Sequence, residues 1–274
     1  MIYAKGMTKL PTHVSDGYPL SAPVMKSLER LPLDSPVTLL AGDNGSGKTT
    51  LMETLARKLN AVRIDGETAG ALPKVNSFAT VDKALRMEVA RHPSRCFYFH
   101  AEGFVRYLDS LHRMRADAQE DLMEVERDYQ GRSALAQELA SMPHQRSLFE
   151  LKRLYEHDIT CRSHGEGHLD FYGARFQKGG LFLLDEPEGA LSFFNQYVLL
   201  TMILDAAAKD GQFIISTHSP ILLACPNARI LHIQEGQIRE VKYSELESVQ
   251  FLKDFLSDPC RYTASLLSEK GNWD

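Results

Sequence analysis

The stretch Gly42-Asp43-Asn44-Gly45-Ser46-Gly47-Lys48-Thr49 constrains this chain more than any other. It fits the pattern G-x-x-x-x-G-K-[ST], and its neighbours supply the context that pattern needs. Before it, Val37–Ala41 (VTLLA) is a short apolar run of the buried-strand type. After it, Lys48–Leu59 (KTTLMETLARKL) spaces Leu51, Leu55 and Leu59 as a helix does. Strand, glycine-rich turn and helix in that order make a cradle for phosphate. The glycines let successive N–H groups turn inward, and the first turn of the helix adds partial positive charge. The expected nucleotide-binding residues are Gly42, Asp43, Asn44, Gly45, Ser46, Gly47, Lys48, Thr49 and Thr50. Lys48 is expected to reach the β- and γ-phosphates and the Thr49 hydroxyl to ligate Mg²⁺, so the expected ligands are ATP and Mg²⁺.

Two further strand ends carry chemistry. Leu181–Asp185 (LFLLD) is a continuous apolar run that ends in Asp185 and Glu186. In an open α/β sheet, ligands sit at the carboxyl ends of the strands. Asp185 is therefore expected to hold the metal with Thr49, and Glu186 to act as general base on the attacking water. Gln212–Thr217 (QFIIST) is a second buried run, and it places His218 at its carboxyl end. An imidazole there can hydrogen-bond a phosphate or the attacking water. Acidic residues after strands also serve merely as solvated turns, and a lone histidine is more often structural. Their order behind a complete phosphate loop is what points to catalysis, with Glu186, His218 and Lys48 as the catalytic set.

Around these motifs the chain divides. Residues 1–103 are expected to form the N-terminal part of a nucleotide-binding domain. Prolines at 11, 19, 23, 32 and 36 break its start into short strands, with a short helix near Met25–Arg30. Val62–Asp65 and Arg95–His100 read as strands and Thr80–Ala90 as a helix. Residues 104–160 are a helical insert rich in Arg, Glu, Asp, Gln, Ala and Leu. Three or four helices are expected there, with breaks near Gly131 and Pro143. Residues 161–243 return to the nucleotide-binding domain, with a helix at Leu191–Ala208 and a terminal hairpin of Arg229–Ile233 and Gln237–Val241. Residues 244–274 are a helical tail with a break near Pro259. The fold class is α/β: a mainly parallel central sheet flanked by helices, plus the helical insert.

Composition excludes some classes. A net charge of −5 gives no global pull toward nucleic acid. Arg113, Arg115, Arg127 and Arg132 are interleaved with acids, the usual mark of a solvated helix face. The four cysteines (96, 161, 225 and 260) are too scattered for a zinc site or a disulfide framework. No apolar run approaches the roughly 18 residues of a membrane helix. Residues 1–11 lack the apolar core of a signal peptide. A cytoplasmic protein with no direct membrane insertion is expected.

In order, Gly42–Thr49, Leu181–Glu186 and His218 resemble the phosphate loop, Walker B motif and switch histidine of ATP-binding-cassette P-loop ATPases. Ser163-His164-Gly165-Glu166 stands where that family carries its signature motif, and Glu188–Ser192 (EGALS) is similar to its D-loop. The wording GDNGSGKTTLMETLA, LLDEPEGALS and STHSPILLA resembles small bacterial ATPases related to SMC and recombination-repair proteins. His164 and Glu166 depart from the common signature. No Q-loop glutamine follows Arg95–His100, where His100 or Glu102 would substitute. Tyr18 and Tyr3 are the candidates for stacking on adenine.

The resemblance implies an ATP-hydrolysing conformational switch that closes as a head-to-tail homodimer. Ser163, His164, Gly165 and Glu166 of one chain would meet the γ-phosphate bound to the other. Ser163 followed by Glu166 is also an ordinary helix-capping pair, and the two readings are compatible. The partner acted on would be a protein or a nucleic acid. The alternatives are the nucleotide-binding subunit of a membrane transporter, and an ATP-binding scaffold with little turnover.

Overall fold

A strand whose every residue is apolar is stable only when both of its faces are covered. The sequence has two such runs, and both are buried along their whole length. The computed structural model describes residues 1–11, 17–64, 70–71, 79–154, 164–176, 178–189 and 191–269. Its strands are β1 (Ala4–Lys9), β2 (Arg30–Pro32), β3 (Val37–Gly42), β4 (Val62–Ile64), β5 (Gly70–Ala71), β6 (Leu85–Val89), β7 (Arg95–His100), β8 (Gly180–Asp185), β9 (Gln212–Ser216), β10 (Arg229–Gln234) and β11 (Gln237–Val241). Its helices are α1 (Pro23–Ser27), α2 (Lys48–Lys58), α3 (Ala79–Ala84), α4 (Ala101–Asp128), α5 (Ala134–Leu154), α6 (His164–Arg175), α7 (Phe193–Ala208), α8 (Pro220–Leu223), α9 (Glu247–Ser257) and α10 (Pro259–Glu269).

The eight-stranded sheet has the order β11-β10-β3-β9-β8-β7-β4-β5. All pairs from β10 to β4 are parallel, and only the edge strands β11 and β5 run antiparallel. This is the mixed α/β architecture with a mainly parallel sheet that the motif order predicted. Successive residues of β8 serve opposite layers. Leu181 and Leu183 pack with Leu51, Met52 and Leu55 of α2. Phe182 and Leu184 pack with Tyr172 of α6 and Leu199 and Ile203 of α7.

A second, antiparallel sheet, β2-β1-β6, lies over the α2 side. Its anchor is Gln212, the fully buried first residue of β9. Its amide nitrogen donates to the carbonyls of Ala4 and Leu33, at 2.8 and 2.7 Å. Its oxygen accepts from the N–H groups of Tyr3 and Ala4, at 2.8 and 2.9 Å.

Three expectations are corrected. The helix expected at Thr80–Ala90 is α3 followed by β6, because Leu85–Lys9 and Met87–Met7 register against β1 and β-pairing overrides local helix preference. The short helix expected at Met25–Arg30 starts earlier, at Pro23, and Arg30 opens β2 instead. The insert holds two long helices among its described residues, not three or four. Gly131, at φ 86°, makes the turn between α4 and α5 as expected. Pro143 does not break α5, because the exposed Leu139 before it leaves the freed carbonyl open to water. His144 Nδ1 lies 3.0 Å from Asp121 Oδ2, tying the two helices together. The tail is two helices that meet at Pro259, as expected. Among the described residues no helix is long and apolar enough to cross a membrane.

Candidate active site

Parallel register aligns strand ends. Asp185 pairs with Ser216 on one side and His100 on the other, and Leu40 pairs with Ser216. The carboxyl ends of β3, β9, β8 and β7 therefore form one row; Ser216, Asp185 and His100 end the last three, and Asp43 follows β3.

At the end of β3 the chain turns through Gly42, Gly45 and Gly47, with φ of 148°, 79° and 100°. Two of these positions exclude any side chain. A Cβ on Gly42 would lie 2.4 Å from the Ile233 carbonyl, and one on Gly47 would lie 2.5 Å from Val24 Cγ1. Asp43, Asn44 and Ser46 fill the turn, which the Ser46 N–H closes onto the Asp43 carbonyl at 3.1 Å. Lys48 opens α2 and is 4% exposed. Its ammonium donates to the carbonyls of Gly42 and Asp43, at 2.9 and 3.0 Å. Burial lowers its pKa, opposed by the charges of Glu186, Asp185, Asp43 and Glu188. Thr50 follows in the first turn, and its Oγ1 lies 3.5 Å from the hydroxyl of the half-exposed Tyr18.

Asp185 is fully buried. Burial raises its pKa, opposed by hydrogen bonds from the Ser216 and Thr49 hydroxyls and by the charge of His100. Tyr98 also donates to its Oδ2, at 3.2 Å, and His100 Nε2 stands 3.7 Å from the same oxygen. Burial likewise pushes the Tyr98 hydroxyl well above its ordinary value.

Glu186 leaves the strand with φ 50°, a left-handed backbone uncommon for a non-glycine residue. The Ser216 carbonyl holds it by accepting its N–H at 3.0 Å. Its carboxylate is 41% exposed, with Oε1 3.4 Å from His218 Nε2. Asp43, Asn44, Glu186, Glu188, Gly189 and His218 line one open cavity of about 470 Å³.

The structure thus brings Lys48, Thr49, Asp185, Glu186 and His218 together around the phosphate turn. Ser163 lies outside the described residues. His164, Gly165 and Glu166 form the first turn of α6, their side chains outside the description, as is that of Glu102 in α4. Tyr3 does not reach the site: it is buried, and its hydroxyl donates to Asp210 behind the amino end of β9. Two residues in contact with the site carried no role in the sequence reading, Tyr98 and Ser216, and Glu188 entered it only through the D-loop resemblance. Their signal was present, as polar residues inside or directly after buried apolar strands.

The residues fit the expected ligands. The turn offers the Lys48 ammonium and Ser46 Oγ, which is buried with no hydrogen-bond partner among the described residues. Thr49 and Asp185 present adjoining oxygens, the donor type Mg²⁺ prefers.

Several known proteins are similar to parts of the chain. The family model described as "AAA domain, putative AbiEii toxin, Type IV TA system" matches residues 97–224, from within β7 to just past α8. "Probable export ATP-binding/permease protein MacB" of Pseudomonas entomophila is 27% identical over 206 residues, 73% of this chain but only 27% of that protein's length. "Cytochrome c biogenesis ATP-binding export protein CcmA" of Legionella pneumophila is 24% identical over 186 residues, 67% of this chain and 80% of the relative. Among solved structures, the Smc head domain from Pyrococcus furiosus, with an extended coiled coil and bound to the C-terminal domain of ScpA, has a TM-score of 0.48. It is 12% identical, with coverage of 93% of this chain and 100% of that one.

Proposed function

We propose that the chain is an ATP-binding-cassette-type P-loop ATPase and a Mg²⁺-dependent switch that closes as a head-to-tail homodimer on ATP and reopens after hydrolysis. The observation that carries the reading is the Glu186–His218 pair, 3.4 Å apart on the wall of the cavity that the phosphate turn also lines. Glu186 is the general base for the water that attacks the γ-phosphate, and His218 orients that water or the phosphate. Lys48 and the turn amides bind phosphate, and Thr49 with Asp185 would hold Mg²⁺. A bound Mg²⁺ supplies charge neutralisation at the β- and γ-phosphate oxygens.

The first turn of α6, with Ser163 before it, is the surface that meets the partner's γ-phosphate. Two equivalent sites then form in a two-fold assembly. ATP drives closure because it binds the closed state preferentially. The dimer acts on a protein or nucleic-acid partner through the α4–α5 hairpin. Tyr18, beside Thr50, stacks on the adenine.

Glu186→Gln tests this. Removing the base should slow ATP turnover by roughly 100-fold or more. Light scattering after size exclusion should show a dimer that accumulates with Mg-ATP and is absent without it. A Glu186→Gln protein that hydrolyses ATP at the wild-type rate overturns the assignment of the base.

A second reading is the nucleotide-binding subunit of a transporter whose membrane part lies elsewhere. It is favoured by the names of the sequence relatives, both export proteins. Co-purification of the tagged chain with an integral membrane protein would select it.

A further inference from the structure

The turn after β8 and the loop after β9 are joined by one carboxylate oxygen. Glu188 Oε1 accepts from the Thr217 hydroxyl at 2.7 Å, from the His218 N–H at 2.6 Å and from the Ser219 N–H at 3.1 Å. Thr217 Oγ1 accepts the Ser219 N–H in turn, at 3.0 Å. The next contact outward is the one between His218 Nε2 and Glu186 Oε1. His218 is more than a third exposed, so its own packing does not fix it. What fixes its backbone is the convergence of three loop donors on one Glu188 oxygen.

We propose that Glu188 is a positioning residue for ATP hydrolysis: it locks the Thr217–Ser219 loop so that the His218 imidazole stands against Glu186. The inference rests on the ATPase reading of the site. Glu188 Oε1 is taken up by the three donors of the loop. It acts through the loop, by the same logic that makes small misplacements of catalytic groups expensive in rate. Its other oxygen, Oε2, is buried and has no partner among the described residues. One oxygen therefore carries the whole arrangement. An amide can reproduce it, because the amide oxygen accepts the same three donors.

The test compares Glu188→Ala with Glu188→Gln in the full chain. Glu188→Ala should lower kcat roughly 10- to 100-fold and leave the KM for ATP within about twofold. Glu188→Gln should recover most of that loss. Amide hydrogen exchange supplies a readout independent of turnover: the His218 and Ser219 amides should exchange faster in Glu188→Ala, with β9 unaffected. If wild-type protein does not hydrolyse ATP, the ATPase reading fails, whatever Glu188 does to exchange. If wild-type hydrolyses ATP but Glu188→Ala keeps its kcat, or Glu188→Gln loses as much as Glu188→Ala, the positioning role is refuted. Should Glu188→Ala fail to fold, Thr217→Val removes one donor to Glu188 together with the acceptor of the Ser219 N–H. Lower kcat at constant KM then supports the proposal, and unchanged kcat refutes it.

Discussion

Gly47→Ala is the sharpest test of the phosphate turn, because the structure resolves its cost into two separable parts. The first is backbone. Gly47 has φ 100°, and a left-handed conformation costs an L-residue about 1–2 kcal/mol. The second is a collision. The new Cβ would lie 2.5 Å from Val24 Cγ1 and 3.3 Å from Val24 Cβ. Val24 is fully buried in α1, so it cannot swing aside. Overpacking of that kind costs about 1–3 kcal/mol. Gly47→Ala should therefore destabilise the fold by roughly 2–5 kcal/mol. Gly45→Ala is the control. Its φ is 79° and no atom lies within 4 Å of the added Cβ, so only the backbone part, about 1–2 kcal/mol, should appear. Val24→Ala removes Cγ1 and leaves a Cβ that needs to give only a few tenths of an ångström. The double variant should then be less destabilised than the sum of the singles by about 1–3 kcal/mol. Urea unfolding at constant m-value measures all four proteins. Additivity to within about 0.5 kcal/mol, or equal costs at Gly45 and Gly47, would refute the collision.

Two further predictions concern the sheets that hold the site. Gln212→Leu keeps the bulk of the side chain but strands the carbonyls of Ala4 and Leu33 and the amides of Tyr3 and Ala4. Each buried unpaired group costs about 1–3 kcal/mol, so a loss of at least about 3 kcal/mol in urea unfolding is expected, with β1 amides exchanging first. Glu88 on β6 is held down to a pKa of about 2 by hydrogen bonds from Arg30 and Thr8. Its contribution to stability is present above its ordinary value of 4.5 and is lost as pH falls through about 2. Glu88→Gln should therefore flatten the acid limb of the stability–pH curve across that window, and an unchanged acid limb would contradict it.

The central sheet was legible because its strands report their own environment. Leu181–Leu184 and Phe213–Ile215 are apolar at every position, and only a strand covered on both faces tolerates that. The phosphate turn was legible because its glycines are demanded by backbone geometry, and Asp185, Glu186 and His218 because they end buried strands. What escaped was set by long-range partners. Leu85–Val89 has no strong strand signature and becomes β6 only because β1 is there to pair with it. Pro143 reads as a breaker, yet exposure lets the helix continue. Glu188 lies two residues from a catalytic candidate, but its partners come from a loop about thirty residues on, and spacing alone carries no sign of them.

Asp185 and Glu186 show how one peptide bond separates two environments. Asp185 is still in β8, between two parallel neighbours, and side-chain hydroxyls of Ser216 and Tyr98 replace the water that burial removes. A carboxylate held this way is rigid but cannot move to meet a water. Glu186 has left the ladder through its left-handed backbone, and its carboxylate opens onto the cavity. The general-base role proposed for Glu186 needs that access, and the metal-ligand role proposed for Asp185 needs the rigidity. The positive φ at Glu186 is the device that divides the roles. Without it, strand alternation would aim the next side chain into a packed face of the sheet instead of the phosphate cavity. The Ser216 carbonyl that accepts the Glu186 N–H belongs to the same residue whose hydroxyl bonds Asp185. Ser216 therefore fixes both carboxylates from one strand position, which is why a polar residue ends β9 where the rest of the strand is apolar but for Gln212.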